Sequence, residues 1–508
     1  MTADWTQGYV TETLYTDGFF RELSPAWLNY VAALKGCLPI PLDRPFTYLE
    51  LGCGLGRSAT VFAGAFPQAR FIGVDFNPAH IALARRYAEA IGVDNISFLE
   101  RGFADLQSSE LPECDFIVLH GVYTWVNATA RAEIRRIIRE NLKPGGLVYV
   151  SYNSLPGWAA ASPLRKLMVE IAADTHGDRA EAVGPALDLM EELNGVNFAY
   201  LKTNPSTAQT LKTLKARGKN YLAHEFLNSE WKLFYSVDIA DEMADAKLTY
   251  LGSATLAENH VEYLVDKGTA EKINTQRSPR LRQLLLDYAI NQRFRRDVFV
   301  RGHQRLDGIE REVALGAIPL GSLIPESQFT AKAKVGNREV TFAEKLFPLI
   351  KDAVKERPRT IADLRRICSA AADRPANVDH LLATLTAAGH LTPFARLSSA
   401  DGNRLASVNK SVLDLAVATK SRQQMISALA GTGIAVDAVE AILYEAYLAG
   451  AKTAKALEKR LLQRLHEVGL SLSKRGQPTK TVEEQQAIAG EIVVRFLAEK
   501  SAILAQLG

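Results

Sequence analysis

The chain has 508 residues, of which 47% are hydrophobic, and it carries a formal net charge of +3. This length suggests about three or four globular domains, and the nearly balanced charge argues against a strongly basic nucleic-acid-binding protein. Four cysteines, Cys37, Cys53, Cys114 and Cys368, are too widely spaced to form a zinc-binding pair or a dense disulfide framework. We expect a cytoplasmic protein without membrane insertion, because we find no secretory leader pattern and no run of about twenty apolar residues.

A short apolar strand followed by a glycine-rich loop is the strongest signal near the start of the chain. Residues 46–51 predict a buried strand. Three glycines follow at alternate positions: Gly52, Gly54 and Gly56. Glycine lets the backbone turn sharply and approach a ligand closely. A helix is predicted over 59–66, and a second strand over 71–74 ends in Asp75, where a carboxylate in this architecture hydrogen-bonds a ribose. The pattern therefore predicts a nucleoside-bearing cofactor.

The spacing of the loop distinguishes between cofactors. A dinucleotide fingerprint requires its third glycine three positions after the second, and that position is occupied by Arg57. The loop therefore disfavours a dinucleotide. A simpler interpretation is that the glycines only permit a tight turn and that Asp75 only caps the helix that begins near Pro78. The agreement among five predicted strand ends argues against it.

Three further strands extend the pattern to an α/β fold. The third is predicted over 95–99, the fourth over 115–119 and the fifth over 147–150, with a helix over 134–142 before the last of them. In an open sheet of this kind, ligands bind outside the carboxyl ends of the strands. We therefore expect the loops that follow these strands to line the site.

Four segments together indicate a family. The pattern Glu50-x-Gly-x-Gly-x-Gly resembles motif I of the class I S-adenosylmethionine-dependent methyltransferases. With HGVYTWV at 120–126, SYNSLPGW at 151–158 and YLAHEFLN at 221–228, the chain resembles the bacterial members that carry a methyltransferase regulatory domain. That group includes the rickettsial protein lysine methyltransferases that act on outer-membrane proteins. The resemblance implies a Rossmann-like methyltransferase domain followed by mainly helical domains.

The resemblance also implies S-adenosylmethionine as the cofactor and assigns side chains to it. Asp75 would bind the ribose, Asp105 would lie near the adenine amino group, and Tyr15 would belong to an N-terminal arm folded over the cofactor. For Asp105 and His120, a purely structural role is an equally open alternative. The implied cofactor-binding residues are Tyr15, Glu50, Gly52, Gly54, Gly56, Asp75, Phe76, Phe103, Asp105, His120 and Gly121.

The loops after the fourth and fifth strands are unusually aromatic, and we interpret them as the acceptor site. A lysine amine attacks a methyl group only when neutral, and with an ordinary pKa of about 10.4 its deprotonation at pH 7 costs about 4 to 5 kcal/mol unless the site lowers the pKa. An apolar aromatic pocket lowers it by excluding water, and aromatic faces attract methylated ammonium groups. The open alternative is that the tryptophans only pack the core. The expected catalytic residues are Tyr123, Trp125, Tyr152 and Asn153.

The rest of the chain is expected to be mainly helical. Residues 164–193 are predicted to be helical, and residues 194–209 are predicted to form a polar connector. In a unit that resembles a winged helix, the third helix, 377–389, contains no lysine or arginine, so we expect no nucleic-acid partner. The resemblance implies a possible homodimer. The predicted parts are an N-terminal arm (1–45), a cofactor-binding methyltransferase domain (46–200), a regulatory or dimerisation domain (201–305), a winged-helix-like domain (306–400) and a helical C-terminal domain (401–508).

Three functional hypotheses follow from these observations. The first is a methyltransferase that modifies lysine side chains of a protein substrate, with an outer-membrane or surface protein as the implied class. The second is a small-molecule O- or N-methyltransferase. The third is a regulator that binds S-adenosylmethionine without catalysis and acts through its C-terminal domains.

Overall fold

Seven strands form one mixed sheet in the computed structural model, with the order β3-β2-β1-β4-β5-β7-β6. The structure describes residues 18–175, 179–214, 222, 225–228, 230–371, 377–398, 402–474, 477–478 and 481–504. The strands are β1 (Thr47–Leu51), β2 (Arg70–Asp75), β3 (Ile96–Glu100), β4 (Cys114–Leu119), β5 (Leu142–Asn153), β6 (Leu248–Ser253) and β7 (Phe294–Arg301). The first five are parallel, and β7 runs antiparallel to both of its neighbours. The predicted α/β fold is confirmed.

The order of the strands places a crevice at the carboxyl ends of β1 and β4. The chain proceeds from β1 outward to β3, returns, and continues from β4 on the other side of β1. Loops at such a reversal diverge, which leaves room for a ligand. Both faces of the central strands are buried, as in Tyr48 and Leu49 of β1, because helices cover each side of a parallel sheet.

Four helices cover the two faces of this sheet, and local signals fix their ends. The third begins where the Asn77 side chain accepts a hydrogen bond from the Ala79 amide at 2.9 Å, with Pro78 in its first turn, and ends at Gly92, whose φ is +75°. Such caps satisfy backbone groups that the helix leaves unpaired. The helices are Pro25–Leu34, Arg57–Ala65, Pro78–Ile91 and Ala128–Asn141.

A small helical unit follows β5. Its helices are Ser162–Asp174, Arg179–Gly195, Ala199–Thr203 and Pro205–Leu214. They enclose a separate apolar core that includes Trp158, Leu187 and Phe226. The prediction that 164–193 is helical is thus confirmed, and the structure divides the range between two helices. The predicted polar connector over 194–209 is wrong: most of it is helical, since Leu201 is buried in this core.

The segment after residue 236 completes the main sheet. It forms helices Ser236–Ala244, Lys267–Asn274 and Pro279–Ala289 together with β6 and β7. Strand β7 pairs with β5 from Leu147↔Val300 to Asn153↔Phe294. The region assigned to a regulatory domain therefore supplies two strands of the methyltransferase sheet.

A buried ion cluster fixes β7 in place. Arg295 lies between Asp287 and Asp297, at 2.9 Å from an oxygen of Asp297 and within ion-pair distance of Asp287. All three side chains are almost completely buried. The Tyr152 hydroxyl donates to Asp297 at 2.5 Å, and the Ser236 hydroxyl donates to Asp287 at 2.5 Å. Each buried charge thus has a charged partner and further hydrogen bonds, as burial requires.

Residues 308–393 form a further layer of helices with short strands. The helices are Gly308–Gly316, Phe347–Val354, Ile361–Ala371 and Val378–Ala387. Strand Pro319–Gly321 pairs with both Arg359–Thr360 and Thr392–Pro393, and a hairpin joins Lys332–Val335 to Arg338–Thr341. The likeness of this unit to a winged helix stays a prediction.

The C-terminal region contains helices and hairpins. Its helices are Gly402–Thr419, Ala438–Leu448, Ala454–Glu467, Val482–Arg495 and Ser501–Leu504, with a π-helix at Phe496–Lys500. A hairpin of Gln423–Ser427 and Thr432–Val436 and a short pair, Ser473–Lys474 with Gln477–Pro478, were not predicted. The region is mainly helical, as predicted, and the two strand pairs are additional to that prediction. None of the helices in the described ranges combines the length and apolarity needed to traverse a bilayer.

The first of these hairpins packs against helix 57–65, directly behind the glycine loop. A Cβ atom added to Gly64 would lie 2.5 Å from Cδ1 of Ile426, so the hairpin packs closely against the helix at this glycine. The Ser24 hydroxyl donates to the Gly431 carbonyl at 2.8 Å, and Arg404 pairs with Asp94 at 2.6 Å. The C-terminal region and the methyltransferase sheet therefore share one continuous hydrophobic core.

Candidate active site

A cavity opens at the carboxyl ends of β1, β2 and β4, in the crevice that the strand order creates. The loops after these strands and after β3 provide its wall. The lining residues are Gly52, Gly54, Asp75, Phe76, His80, Arg101, Gly102, Phe103, His120, Gly121, Val122, Trp125, Val126 and Asn127. The wall is mostly apolar, as expected for a small-molecule site with a few fixed polar groups.

The glycine loop wraps around the end of β2. The amides of Gly52 and Cys53 both donate to the Val74 carbonyl, at 2.8 and 3.0 Å. Gly52, Gly54 and Gly56 have φ values of +72°, +52° and +64°, a region that other residues adopt only with strain. A Cβ on Gly52 would lie 2.4 Å from Val122, whereas one on Gly54 would meet nothing within 4 Å. Gly54 therefore presents bare backbone to open space at the cavity.

Asp75 fixes this loop from the end of β2. One carboxylate oxygen accepts from the Gly54 amide at 2.9 Å, and the other accepts from the Asn77 amide at 2.9 Å. Nδ1 of His80 lies 3.3 Å from the second oxygen. The side chain is 7% exposed and borders the cavity. A carboxylate here orders the loop and faces any ligand in the crevice.

Glu50 lies behind the loop and does not line the cavity. The Ala59 amide donates to its carboxyl group, and one of its oxygens, Oε2, is buried without a hydrogen-bond partner among the described residues. Burial raises the pKa of Glu50 to about 8, with a further contribution from the charge of Asp75. A carboxyl with this pKa is mostly protonated at pH 7.

His120 stands at the cavity wall as a neutral imidazole. Its Nδ1 lies 2.9 Å from the Tyr149 hydroxyl, and its ring centroid lies 3.7 Å from that of Phe20. Burial and, to a smaller extent, the positive charge of Arg296 together lower the pKa of His120 from 6.5 to about 3. The next amide, that of Gly121, donates to the Ser151 hydroxyl at 2.9 Å. The end of β4 is thus tied to β5.

Of the four residues predicted to be catalytic, the structure brings only Trp125 to the cavity. Tyr123 is fully buried, and its hydroxyl donates to Glu242 at 2.6 Å. Tyr152 is buried in the same apolar cluster as Tyr123, and its hydroxyl donates to Asp297 at 2.5 Å. Asn153 is buried with its amide nitrogen unpaired among the described residues, and its backbone amide donates to Thr124 at 2.8 Å. These three residues support the walls of the site from behind.

The residues predicted to bind the cofactor also include some that line the cavity and some that do not. Seven of them line the cavity: Gly52, Gly54, Asp75, Phe76, Phe103, His120 and Gly121. Glu50 and Gly56 lie behind the loop, and Asp105 lies exposed in the turn that begins at Gly102. Tyr15 lies outside the described residues.

Sequence reasoning missed one buried polar residue of this wall, His80. It lies in helix 78–91 next to Ile81, on the side that faces the sheet, and Nε2 has no hydrogen-bond partner among the described residues. The signal available in the sequence was a histidine five residues after Asp75, on the apolar face of the helix.

The arrangement fits a nucleoside cofactor that carries no phosphate. The open space beside Gly54 is bounded by the carboxylate of Asp75, while the rings of Phe76 and Phe103 supply apolar surface nearby. Among the residues that line the cavity, Arg101 is the sole side chain with a permanent positive charge. A pyrophosphate would leave its charge largely unmatched at this wall.

Two family models match the chain. A methyltransferase domain matches residues 42–195, and a predicted methyltransferase regulatory domain matches 218–301. The second match includes β6 and β7, in agreement with the shared sheet.

Relatives extend the match to the whole chain. An uncharacterized protein of Synechocystis, sll1526, is 33% identical over 99% of this chain and 99% of its own length. A trans-aconitate 2-methyltransferase of Methylobacterium radiotolerans is 31% identical over 28% of this chain and 50% of its own length. The solved structure of PKMT2 from Rickettsia typhi in complex with AdoHcy has a TM-score of 0.72 at 18% identity and covers 97% of this chain and 100% of that chain.

The site and the comparisons agree on the cofactor, which is S-adenosylmethionine. The chain belongs to the bacterial class I S-adenosylmethionine-dependent methyltransferases that carry a methyltransferase regulatory domain.

Proposed function

We propose that the protein transfers methyl groups to lysine side chains of a protein substrate, with an outer-membrane or surface protein as the expected class. The observation that carries this proposal is the mostly apolar wall of the cavity, in which the Trp125 ring and the buried His120 imidazole lie beside the cofactor loop.

The mostly apolar wall of the cavity suits lysine chemistry. Burial lowers the pKa of a cationic group, as it does for His120 at this wall. A lysine amine, with an ordinary pKa of about 10.4, would therefore have a larger neutral fraction in this cavity than in water. This environment supports an amine acceptor without a dedicated base.

The residues of this chain contribute by positioning and by excluding water. Bound S-adenosylmethionine supplies an electrophilic methyl group, and transfer to an aligned nucleophile depends mostly on orientation. Trp125 provides an aromatic face that attracts a methylated ammonium group. His120 is poorly suited to act as the base, because an imidazole with a pKa of about 3 is a weak proton acceptor. It is suited to orient the acceptor by hydrogen bonding.

The architecture gives additional support. The chain matches PKMT2 from Rickettsia typhi in fold along almost its whole length, including the parts beyond the methyltransferase sheet. The sequence motifs independently resemble rickettsial protein lysine methyltransferases.

A second candidate, O-methylation of a small carboxylic acid, is favoured by Arg296. Its guanidinium stacks on the Phe294 ring at 5.2 Å, and that ring lies 6.0 Å from His120. Nε of Arg296 is buried without a partner among the described residues. A cation near the acceptor side would attract a carboxylate, and a trans-aconitate 2-methyltransferase is among the relatives.

One labelling experiment distinguishes these functions. The purified protein is incubated with S-adenosylmethionine labelled on the methyl group and with outer-membrane, cytosolic and small-molecule fractions of its source cells. Methyl groups on lysine survive mild alkali, whereas methyl esters release volatile methanol. Alkali-stable label on protein, located on lysine by mass spectrometry, supports the proposal. Volatile label supports the carboxylate alternative. Cofactor binding without any label transfer would overturn both and favour the non-catalytic regulator.

The matched variants for this experiment are Trp125→Leu and Trp158→Leu. Trp125 lines the cavity, whereas Trp158 belongs to the core of the helical unit after β5. We expect the first variant to lose label transfer while keeping cofactor affinity, and the second to lose stability with turnover per folded molecule retained. Equal turnover in the Trp125 variant and the wild type would remove that ring from the acceptor site.

A further inference from the structure

Two imidazoles and a carboxylate form a cluster outside the active site. His260 and Glu262 lie in the short turns after β6, and His380 lies in helix 378–387. Each offers one ligand atom, and these atoms all lie within 4.8 Å of one another. Nδ1 of His260 is 3.6 Å from an oxygen of Glu262, and the two imidazole centroids are 5.6 Å apart. Atoms at these separations can converge on one small cation.

A chain of hydrogen bonds determines the tautomer of His380. The Thr384 hydroxyl donates its single proton to the His380 carbonyl at 2.6 Å. It can therefore only accept from the Tyr263 hydroxyl, which is 2.8 Å away. The Tyr263 oxygen in turn accepts from Nε2–H of His380 at 2.9 Å. This leaves a lone pair on Nδ1 of His380 and orients the ring. A metal-bound histidine usually donates its other ring N–H to a neighbouring acceptor in the same way.

The cluster borders a cavity of about 480 Å³ that lies between helices 308–316 and 378–387 and the end of helix 25–34. This space provides an entry path and room for water as a further ligand. Lys35 and Arg311 also face the cavity, while Arg365 is held by a bidentate contact with Asp379 at 2.7 and 2.8 Å. The positive charge of Lys35 opposes a cation at the cluster, so it sets a limit on affinity.

We propose that His260, Glu262 and His380 bind one divalent transition-metal ion, with Zn²⁺ as the expected ion, and so tie the segment after β6 to helix 378–387. Two imidazole nitrogens and one carboxylate oxygen are a donor set that Zn²⁺ accepts, with water in the fourth position. The ion would join the region matched by the regulatory-domain model to the helical layer behind it, at a distance from the methyl-transfer cavity.

The test uses the full-length protein after dialysis against a chelator. Co²⁺ serves as the spectroscopic probe, because a tetrahedral nitrogen and oxygen site gives visible ligand-field absorption. Zn²⁺ serves as the probe of stability by thermal unfolding. We expect stoichiometric Co²⁺ absorption that Zn²⁺ displaces, and a Zn²⁺-dependent rise in Tm of about 2 °C or more.

Variants identify the ligands. His380→Ala and Glu262→Gln should each lose the absorption and the Tm rise, and Tyr263→Phe should weaken binding by about 10- to 100-fold. Lys35→Met should tighten it, because a repelling charge is removed. The matched control is His466→Ala, at an exposed position of helix 454–467, which should behave as the wild type. The absence of Co²⁺ absorption in the wild type, or an unchanged response in both Glu262→Gln and Lys35→Met, would overturn the proposal.

Discussion

Replacing Glu50 with glutamine should stabilise the glycine loop, and the gain should increase with pH. Glu50 is buried behind the loop, and its pKa in the folded protein is about 8, compared with 4.5 for an ordinary glutamate. Below pH 4.5 the folded and unfolded states both hold the proton, so the group adds no pH-dependent cost. Above that value the unfolded chain releases the proton first, and the folded state loses stability as the pH rises.

The size of this loss follows from the two pKa values. Each pH unit between 4.5 and 8 costs at most about 1.36 kcal/mol. Between pH 5 and pH 7 the summed cost is about 2.5 kcal/mol, which corresponds to about 70-fold in an opening equilibrium. Glutamine has no such proton, so the stability of the Glu50→Gln variant relative to the wild type should rise by this amount over that range and become constant above pH 8. The unpaired side-chain amide of the glutamine adds a further change in stability that does not depend on pH.

Hydrogen exchange read by mass spectrometry measures this effect locally. Peptides from β1 and β2 are compared between the variant and the wild type at the same pH without cofactor, so intrinsic exchange rates cancel. The matched control is Glu89→Gln on the exposed side of helix 78–91, where the carboxyl is solvated in both states. A difference between Glu50→Gln and the wild type that does not change with pH would show that Glu50 is ionised in the folded protein and would refute the reasoning.

Three further predictions test other parts of the molecule. Gly54→Ala and Gly92→Ala should each cost about 1 to 2 kcal/mol of stability, because both backbones are left-handed with open space for a Cβ. Only Gly54→Ala should lower the affinity for S-adenosylmethionine in calorimetry, by tenfold or more. Equal losses of affinity would contradict the loop assignment. Tyr123→Phe should lose about 1.5 to 3 kcal/mol of unfolding free energy, because the hydrogen bond to Glu242 is removed. Turnover in the labelling assay should persist. Loss of turnover at unchanged stability would instead place Tyr123 at the acceptor. Arg295→Met should lose about 3 to 5 kcal/mol in urea unfolding, because it leaves two buried aspartates without a counter-charge, and a near-neutral result would mean that these carboxyls are protonated.

The first five strands and the glycine loop were predictable because local signals agree there. Each of these strands is a compact apolar run that ends in a turn residue, and Asp75 follows its strand directly. Strand β7 gave no such signal, since its sequence FRRDVFVR places Arg295 and Asp297 in the interior. The partner that neutralises this arginine, Asp287, comes from a preceding helix, and sequence periodicity does not reveal such a pairing.

The acceptor residues were harder to assign than the cofactor loop. Tyr123 and Tyr152 follow or end strands at the correct edge of the sheet, but their hydroxyls meet Glu242 and Asp297 away from the cavity. In a parallel sheet both faces are buried, so alternation does not indicate which side chains face the ligand. Trp125 lines the cavity and the two tyrosines do not, and only the path of the loop after β4 produces this difference.

The hairpin behind helix 57–65 has a consequence for any attempt to isolate the catalytic unit. Truncation before residue 402 would uncover the apolar flank of that helix where Gly64 receives Ile426, and would remove the acceptor of the Ser24 hydroxyl. A fragment ending after the sheet would therefore expose a hydrophobic patch directly behind its cofactor loop. Such a fragment should precipitate or bind the cofactor weakly. In this protein the C-terminal region supports the catalytic unit from behind. Exchange of C-terminal regions between relatives would therefore require matched changes in helix 57–65.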